Sequence, residues 1–202
     1  MRKLLLAVAT LSGMAVSAHA QEVSYGAQVG YSWSDSDVSI PAYPSNFTLD
    51  SDGWQLGGFL GLNWDMGGGW SLGVEGDANW TDADGNAPSG LGAEEYIVEQ
   101  NWNASIRARA AVDVAASTEL YGTLGWAWTD IETKYNPLAG GTDSATLQGW
   151  SGGIGLQRDY GTWFGRVEYR YNDYDSEGFV HNGPSTVDLT SHGLLFGIGR
   201  TL

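Results

Sequence analysis

The chain has 202 residues, no cysteine, 10 tryptophans, 30 glycines and a formal net charge of −15. Without cysteine it holds neither disulfides nor thiolate metal sites, and so acidic a chain repels nucleic-acid phosphates, which excludes that partner. Beyond the first twenty residues no apolar run approaches the roughly 18 that a transmembrane helix requires.

Arg2 and Lys3 precede an apolar run from Leu4 to Val16, and Ala18 and Ala20 occupy the two small-residue positions that a signal peptidase reads. Charged, apolar and small regions in that order make a secretory signal, cut after Ala20, rather than a buried N-terminal helix. Residues 1–20 are expected to be a signal peptide and residues 21–202 a single barrel domain, with no segment left over for a second module. No lipidation cysteine follows the cleavage point. With the signal removed, seven basic residues stand against 24 acidic ones.

The remaining chain repeats one pattern, apolar residues on alternate positions, which is the period of a β-strand with two unlike faces. The first such face runs Tyr25, Ala27, Val29, Tyr31, Trp33, and the second Trp54, Leu56, Gly58, Leu60, Leu62, Trp64. The third follows Trp70, Leu72, Val74, Gly76, Ala78, Trp80, the fourth Trp102, Ala104, Ile106, Ala108, Ala110, Val112, and the fifth Leu120, Gly122, Leu124, Trp126, Trp128. Trp150, Gly152, Ile154 and Leu156 mark the sixth, whose other face is nearly all glycine. The seventh shows Trp163, Gly165, Val167, Tyr169, Tyr171, and the eighth Leu194, Phe196, Ile198, Leu202. The expected fold is all-β, an eight-stranded antiparallel up-and-down transmembrane β-barrel.

In this register Trp33, Trp54, Trp64, Trp70, Trp80, Trp102, Trp126, Trp128, Trp150 and Trp163 all fall on one face. Tryptophans about ten residues apart at the two ends of an apolar strand match the aromatic girdles of a membrane barrel. A soluble barrel would turn its apolar face inward and its charges outward. The opposite face here carries Glu75, Asp77, Arg107, Arg109, Arg166, Glu168 and Arg170. Arginine on the lipid face at the bilayer midplane costs ~2–4 kcal/mol, so these seven residues are expected to form a charge network in the lumen.

Connections alternate in length. Asp65 to Gly69, Ala115 to Thr118 and Asp159 to Thr162 are short, whereas Asp35 to Gly53, Asp82 to Glu99, Thr129 to Ser144 and Asn172 to Asp188 are long and acidic. An even strand number then places both termini and the short turns in the periplasm and the four long loops outside.

The second half also resembles the small eight-stranded outer-membrane barrels of alphaproteobacteria, within the opacity-type and OmpA-like porin group. The resemblance rests on Asn103-Ala104-Ser105-Ile106-Arg107-Ala108-Arg109, Leu120-Tyr121-Gly122-Thr123-Leu124-Gly125-Trp126-Ala127, Gly149-Trp150-Ser151-Gly152-Gly153-Ile154-Gly155, Arg166-Val167-Glu168-Tyr169-Arg170-Tyr171, and His192-Gly193 leading into Gly197-Ile198-Gly199. It implies residence in the outer membrane of a Gram-negative cell. Such barrels usually end in phenylalanine, where this chain has Leu202.

An eight-stranded barrel is just wide enough to be filled by side chains, so the interior is expected to be a packed polar core of arginine–carboxylate pairs. A narrow conduit with a selective charge ring is the sharper alternative. The expected function is a non-enzymatic barrel that contributes to envelope structure and displays four acidic loops. The alternatives are a small cation-favouring channel and a surface adhesin or receptor working through the loops. Its partners would be outer-membrane lipid and lipopolysaccharide, the barrel assembly machinery and periplasmic chaperones, and the barrel itself a monomer. No cofactor is expected. Asp82-Ala83-Asp84-Gly85-Asn86 has the opening of a calcium loop, but the twelfth position, where an EF-hand needs glutamate, is Ala93, so no metal site is expected. Ser191 and His192 are adjacent and so point to opposite faces, and with His181 in a loop no catalytic triad is expected.

Overall fold

The computed structural model describes residues 21–39, 46–88, 95–136, 142–179 and 185–202. The expected signal peptide lies outside these residues, as do the tips of the four long connections and His181. The described chain is entirely strand and turn: β1 (Gln21–Ser39), β2 (Asn46–Gly67), β3 (Trp70–Thr81), β4 (Asp84–Pro88), β5 (Glu95–Ala115), β6 (Thr118–Asn136), β7 (Thr142–Asp159), β8 (Phe164–Phe179) and β9 (Ser185–Thr201).

Every pairing is antiparallel, and β1 pairs with both β2 and β9, so the sheet closes. β3 and β4 make one wall of the barrel in two pieces: β3 pairs with β5 from Trp70↔Val112 to Trp80↔Trp102, and β4 continues from Asp84↔Glu99 to Pro88↔Glu95. The ring therefore has eight walls from nine strands. At the join, Asp82 takes over the ladder: its amide donates to the Trp54 carbonyl at 3.1 Å, and its carboxylate accepts from the Trp54 amide at 2.6 Å. The calcium-loop-like segment is thus a seam between two strand pieces.

The alternation falls as expected. Odd positions of β1 and even positions of β2, β3, β6, β7 and β9 point out, and Leu56, Leu60, Leu124, Ile154, Phe196 and Ile198 are exposed on the outer face. The sixth expected strand, with glycine on one side, keeps its register: Trp126 pairs with Trp150 and Ile154 with Tyr169. From Trp54 to Trp64 is ten residue steps, ~33 Å of strand, which at the usual 35–45° tilt is about 25 Å of height, the thickness of an apolar membrane band.

Strand length departs from expectation. The long connections are mostly strand: β1 runs on to Ser39, β2 starts at Asn46, β6 reaches Asn136 and β7 starts at Thr142. Past the upper tryptophans the alternation inverts. Asp35, Asp50, Asp130, Asp173 and Asp188 take the outward positions, while Leu49, Ile131, Leu147, Tyr174 and Leu189 turn inward and are buried. Above the membrane the outer face meets water, so the polarity of the two faces exchanges. A strand traced by its outward apolar residues ends where that exchange occurs.

The short turns are tight. Gly67, Gly68, Gly69 and Gly161 have positive φ, and so does Ser117 at 58°. A left-handed serine carries strain that glycine does not. Ser117→Gly is expected to raise stability by up to about 1 kcal/mol, read as a higher urea midpoint with an unchanged slope.

Candidate functional site

The interior is organised in three layers, the central one ionic. Glu75 and Asp77 project from β3, Arg107 from the neighbouring β5, and Arg166, Glu168 and Arg170 from β8, all buried. In the ring β3 and β8 lie four walls apart in either direction, so they face each other across the full diameter. Arg166 Nη1 reaches Glu75 Oε2 at 2.5 Å, and Arg170 Nη1 reaches Asp77 Oδ1 at 2.8 Å. The lumen is bridged wall to wall by two ion pairs.

Arg107 sits at the hub with 0% of its side chain exposed. Its Nε donates to Ser105 Oγ at 3.0 Å, and Nη1 to Thr123 Oγ1 at 2.8 Å and Glu168 Oε1 at 2.5 Å. Nη2 donates to Glu75 Oε1 and Asp77 Oδ2, both at 3.1 Å. Every N–H of the guanidinium is satisfied, which a buried cation requires. Arg170 Nε closes the group on Glu168 Oε1 at 2.9 Å, and the Tyr121 hydroxyl donates to Glu168 Oε2 at 3.1 Å. Three guanidiniums meet three carboxylates, so the plug carries no net charge.

Arg109, the seventh of the expected lumen charges, stands apart from this group. It lies nearer the short-turn end, where its Nη2 donates to Glu119 Oε1 at 2.7 Å and its guanidinium covers the Tyr121 ring at 4.4 Å. Below it opens an acidic vestibule of about 290 Å³, lined by Glu22, Asp65, Asp113, Glu119 and Asp159 among others. The third layer, toward the hairpin end, is an apolar core of Ala127, Ile131, Leu147, Tyr174 and Leu189. Between the ionic and apolar layers is a void of about 10 Å³ bordered by Gln55, Gln100, Arg170 and Asn172. It has room for about one water.

Neutral side chains at inward positions complete this interior. Gln28 Oε1 accepts from Arg166 Nη2 at 2.9 Å, and its Nε2 donates to Asn79 Oδ1 at 2.8 Å. Phe59 lies under the Arg166 guanidinium at 3.5 Å. Glu119 sits at the end of a strand, where its parity was the one available signal. The featureless glycines also have a use: a Cβ on Gly155 would lie 2.4 Å from Tyr121 Cζ, and one on Gly197 2.9 Å from Arg166 Cγ. Large lumen side chains lie over bare backbone on the adjacent strand, the small-against-large filling of a narrow barrel.

On the outer face Trp33, Trp54, Trp70, Trp80, Trp102, Trp126, Trp150 and Trp163 are exposed, and Trp64 and Trp128 are half-buried at outward positions. Trp80 pairs with Trp102 and Trp126 with Trp150 in an upper girdle, with Tyr31 edge-on to Trp54 at 5.4 Å. Trp64, Trp70 and Trp163 mark the lower one. Ser191 is buried in the lumen, while His192 points out and stacks near Trp33 at 6.0 Å, with its Nδ1 2.7 Å from the Tyr169 hydroxyl. The two are separated by the wall of the barrel. Among the described residues, no three His, Cys, Asp or Glu side chains are grouped to hold a metal ion.

Comparison with known proteins agrees with this geometry. The family described as an outer membrane protein β-barrel domain matches residues 4–200. A 25 kDa outer-membrane immunogenic protein of Brucella canis is 31% identical over 176 residues, 86% of this chain and 75% of the relative. A 22 kDa outer membrane protein of Rhizobium leguminosarum bv. viciae is 30% identical over 161 residues, 76% of this chain and 70% of that one. Among solved structures, the outer membrane protein OprG from Pseudomonas aeruginosa aligns with a TM-score of 0.59 at 13% identity, covering 91% of this chain and 96% of OprG. At that identity the likeness speaks to the fold.

Proposed function

Since this chain belongs to the outer membrane protein β-barrel family and resides in the Gram-negative outer membrane, we propose that it is a closed, non-enzymatic barrel contributing to envelope structure. One observation carries the reading: the lumen is crossed on its full diameter by Arg166–Glu75 and Arg170–Asp77 and capped above by an apolar core. A conduit would need both layers to part. Opening the ionic layer separates buried charges without water to take them up, which is strongly unfavourable.

Its four hairpins lift acidic outer faces above the upper tryptophan girdle. In this reading the barrel is a monomeric mount, held among phospholipid and lipopolysaccharide and delivered by periplasmic chaperones and the barrel assembly machinery. The separation of Ser191 from His192 across the barrel wall favours a non-catalytic role.

Planar bilayer recording with the purified full chain tests the closed lumen. The expected result is a bilayer with no steady conductance steps attributable to the protein. Steady, cation-favouring steps that vanish when the protein is heat-denatured would replace this reading with that of a small channel.

A further inference from the structure

The basic residues beyond residue 20 are few and unevenly placed. Arg107, Arg109, Arg166 and Arg170 are inside the barrel, and Lys134 belongs to a hairpin extension. Arg158 and Arg200 remain, both exposed, at outward positions on β7 and β9 near the periplasmic end. Among the described residues neither has an ion-pair partner. The acids of the same rim, Glu22, Asp65, Asp113, Glu119 and Asp159, line the vestibule inside. Charge at this end is therefore segregated, negative toward the lumen and positive toward the membrane.

The two arginines flank a shaped surface. Arg158 pairs with Gly165 and Gly165 with Ile198, two residues short of Arg200. The Tyr160 and Trp163 rings stack at 4.2 Å, 16° from parallel, close over Gly165: a Cβ there would meet Trp163 at 3.6 Å and Tyr160 at 3.8 Å. The Arg158 guanidinium lies 5.8 Å from the Tyr160 ring on one side of this pair. On the other side a groove of about 510 Å³ runs between Trp163 and Tyr25, with Ile198 in its wall and Arg200 at its end. An open apolar furrow with a cation at its rim, at the depth where a lipid's glycerol and phosphate lie, fits one chemistry.

We propose that this face is a binding site for an anionic glycerophospholipid of the periplasmic leaflet, with the phosphate held by Arg200 at the groove, Arg158 adding positive charge from the far side of the Tyr160–Trp163 pair, and an acyl chain laid in the groove. Arginine suits the role because its planar fork grips phosphate oxygens, and its aliphatic stem can lie along apolar surface while the charge reaches the interface. Trp163 and Tyr25 give the chain walls and the headgroup region its aromatic edge. The site is independent of whether the lumen conducts.

The test is lipid titration of the delipidated full chain in detergent, followed by native mass spectrometry with phosphatidylglycerol and phosphatidylcholine of matched chains. The intact protein is expected to prefer phosphatidylglycerol, each arginine contributing about five-fold. Arg158→Gln with Arg200→Gln should bring the two lipids level, and Arg200→Lys should keep part of the preference. Either Gln variant alone should lose its share, so the site can still be judged if the double variant fails to assemble, as a boiling-dependent gel shift would report. Glycerol phosphate, which has the headgroup but no acyl chain, should not compete. Equal binding of both lipids by the intact chain, an unchanged preference in the Gln variants, or displacement by glycerol phosphate would each overturn the proposal.

Discussion

Arg107→Leu is expected to lose ~3–5 kcal/mol of stability, the cost of breaking a buried ionic group by removing one partner. The substitution leaves Glu75, Asp77 and Glu168 facing only Arg166 and Arg170 in a space from which water is excluded. Ser105 and Thr123 also lose the guanidinium N–H donors to their hydroxyl oxygens, although Ser105 still donates to Asp77. Equilibrium urea unfolding of the chain refolded into phospholipid vesicles measures the loss. Removing one carboxylate as well should restore much of it, and Asp77→Asn is the partner of choice because it leaves Arg166–Glu75 and Arg170–Glu168 as complete pairs. A single variant within 1 kcal/mol of the original chain, or a double variant worse than the sum of its parts, would mean that the plug does not hold the barrel together.

The second large effect lies on the other face of the wall. Leu124 is 64% exposed on β6, midway between Leu120 and Trp128. Leu124→Arg should cost ~2–4 kcal/mol in a bilayer, the penalty for a cation at the midplane. The matching control is Asp188→Arg, outward on β9 but above the girdle, which should stay within about 0.5 kcal/mol because water solvates it. If both arginines were equally tolerated in vesicles, the outer band would not be in contact with hydrocarbon. The two experiments together separate the physics of the inside, where charges must be matched, from that of the outside, where they must be absent.

Much of the site was legible because a membrane barrel writes its two solvents into alternate residues. The parity that puts Trp54 outside also puts Gln55 inside, so Arg107 and Glu168 could be assigned to the lumen without coordinates. Pairing was less accessible. Glu75 meets Arg107 across adjacent strands, but its bond to Arg166 joins residues 91 apart in the chain, and only closure of the ring brings those walls face to face. Arg109 obeys the same parity as Arg107 and still belongs to another layer, because two residue steps along β5 carry it about 6–7 Å toward the short-turn end, where other walls supply its partners. The apolar upper core was missed for a related reason: Leu49, Ile131 and Leu189 alternate with aspartates, the reverse of the pattern that marks a lipid-facing strand.

By itself the sequence determined the class of fold, the count of walls, the face that meets hydrocarbon and the alternation of short and long connections. Each of these follows from local period and composition, which need no knowledge of distant contacts. Tertiary structure alone decided which charge neutralises which, that the interior is sealed in successive layers, and how far the hairpins rise beyond the membrane. Those features depend on register around a closed sheet, where residues from opposite walls share one narrow space and each must satisfy the groups the others leave unpaired.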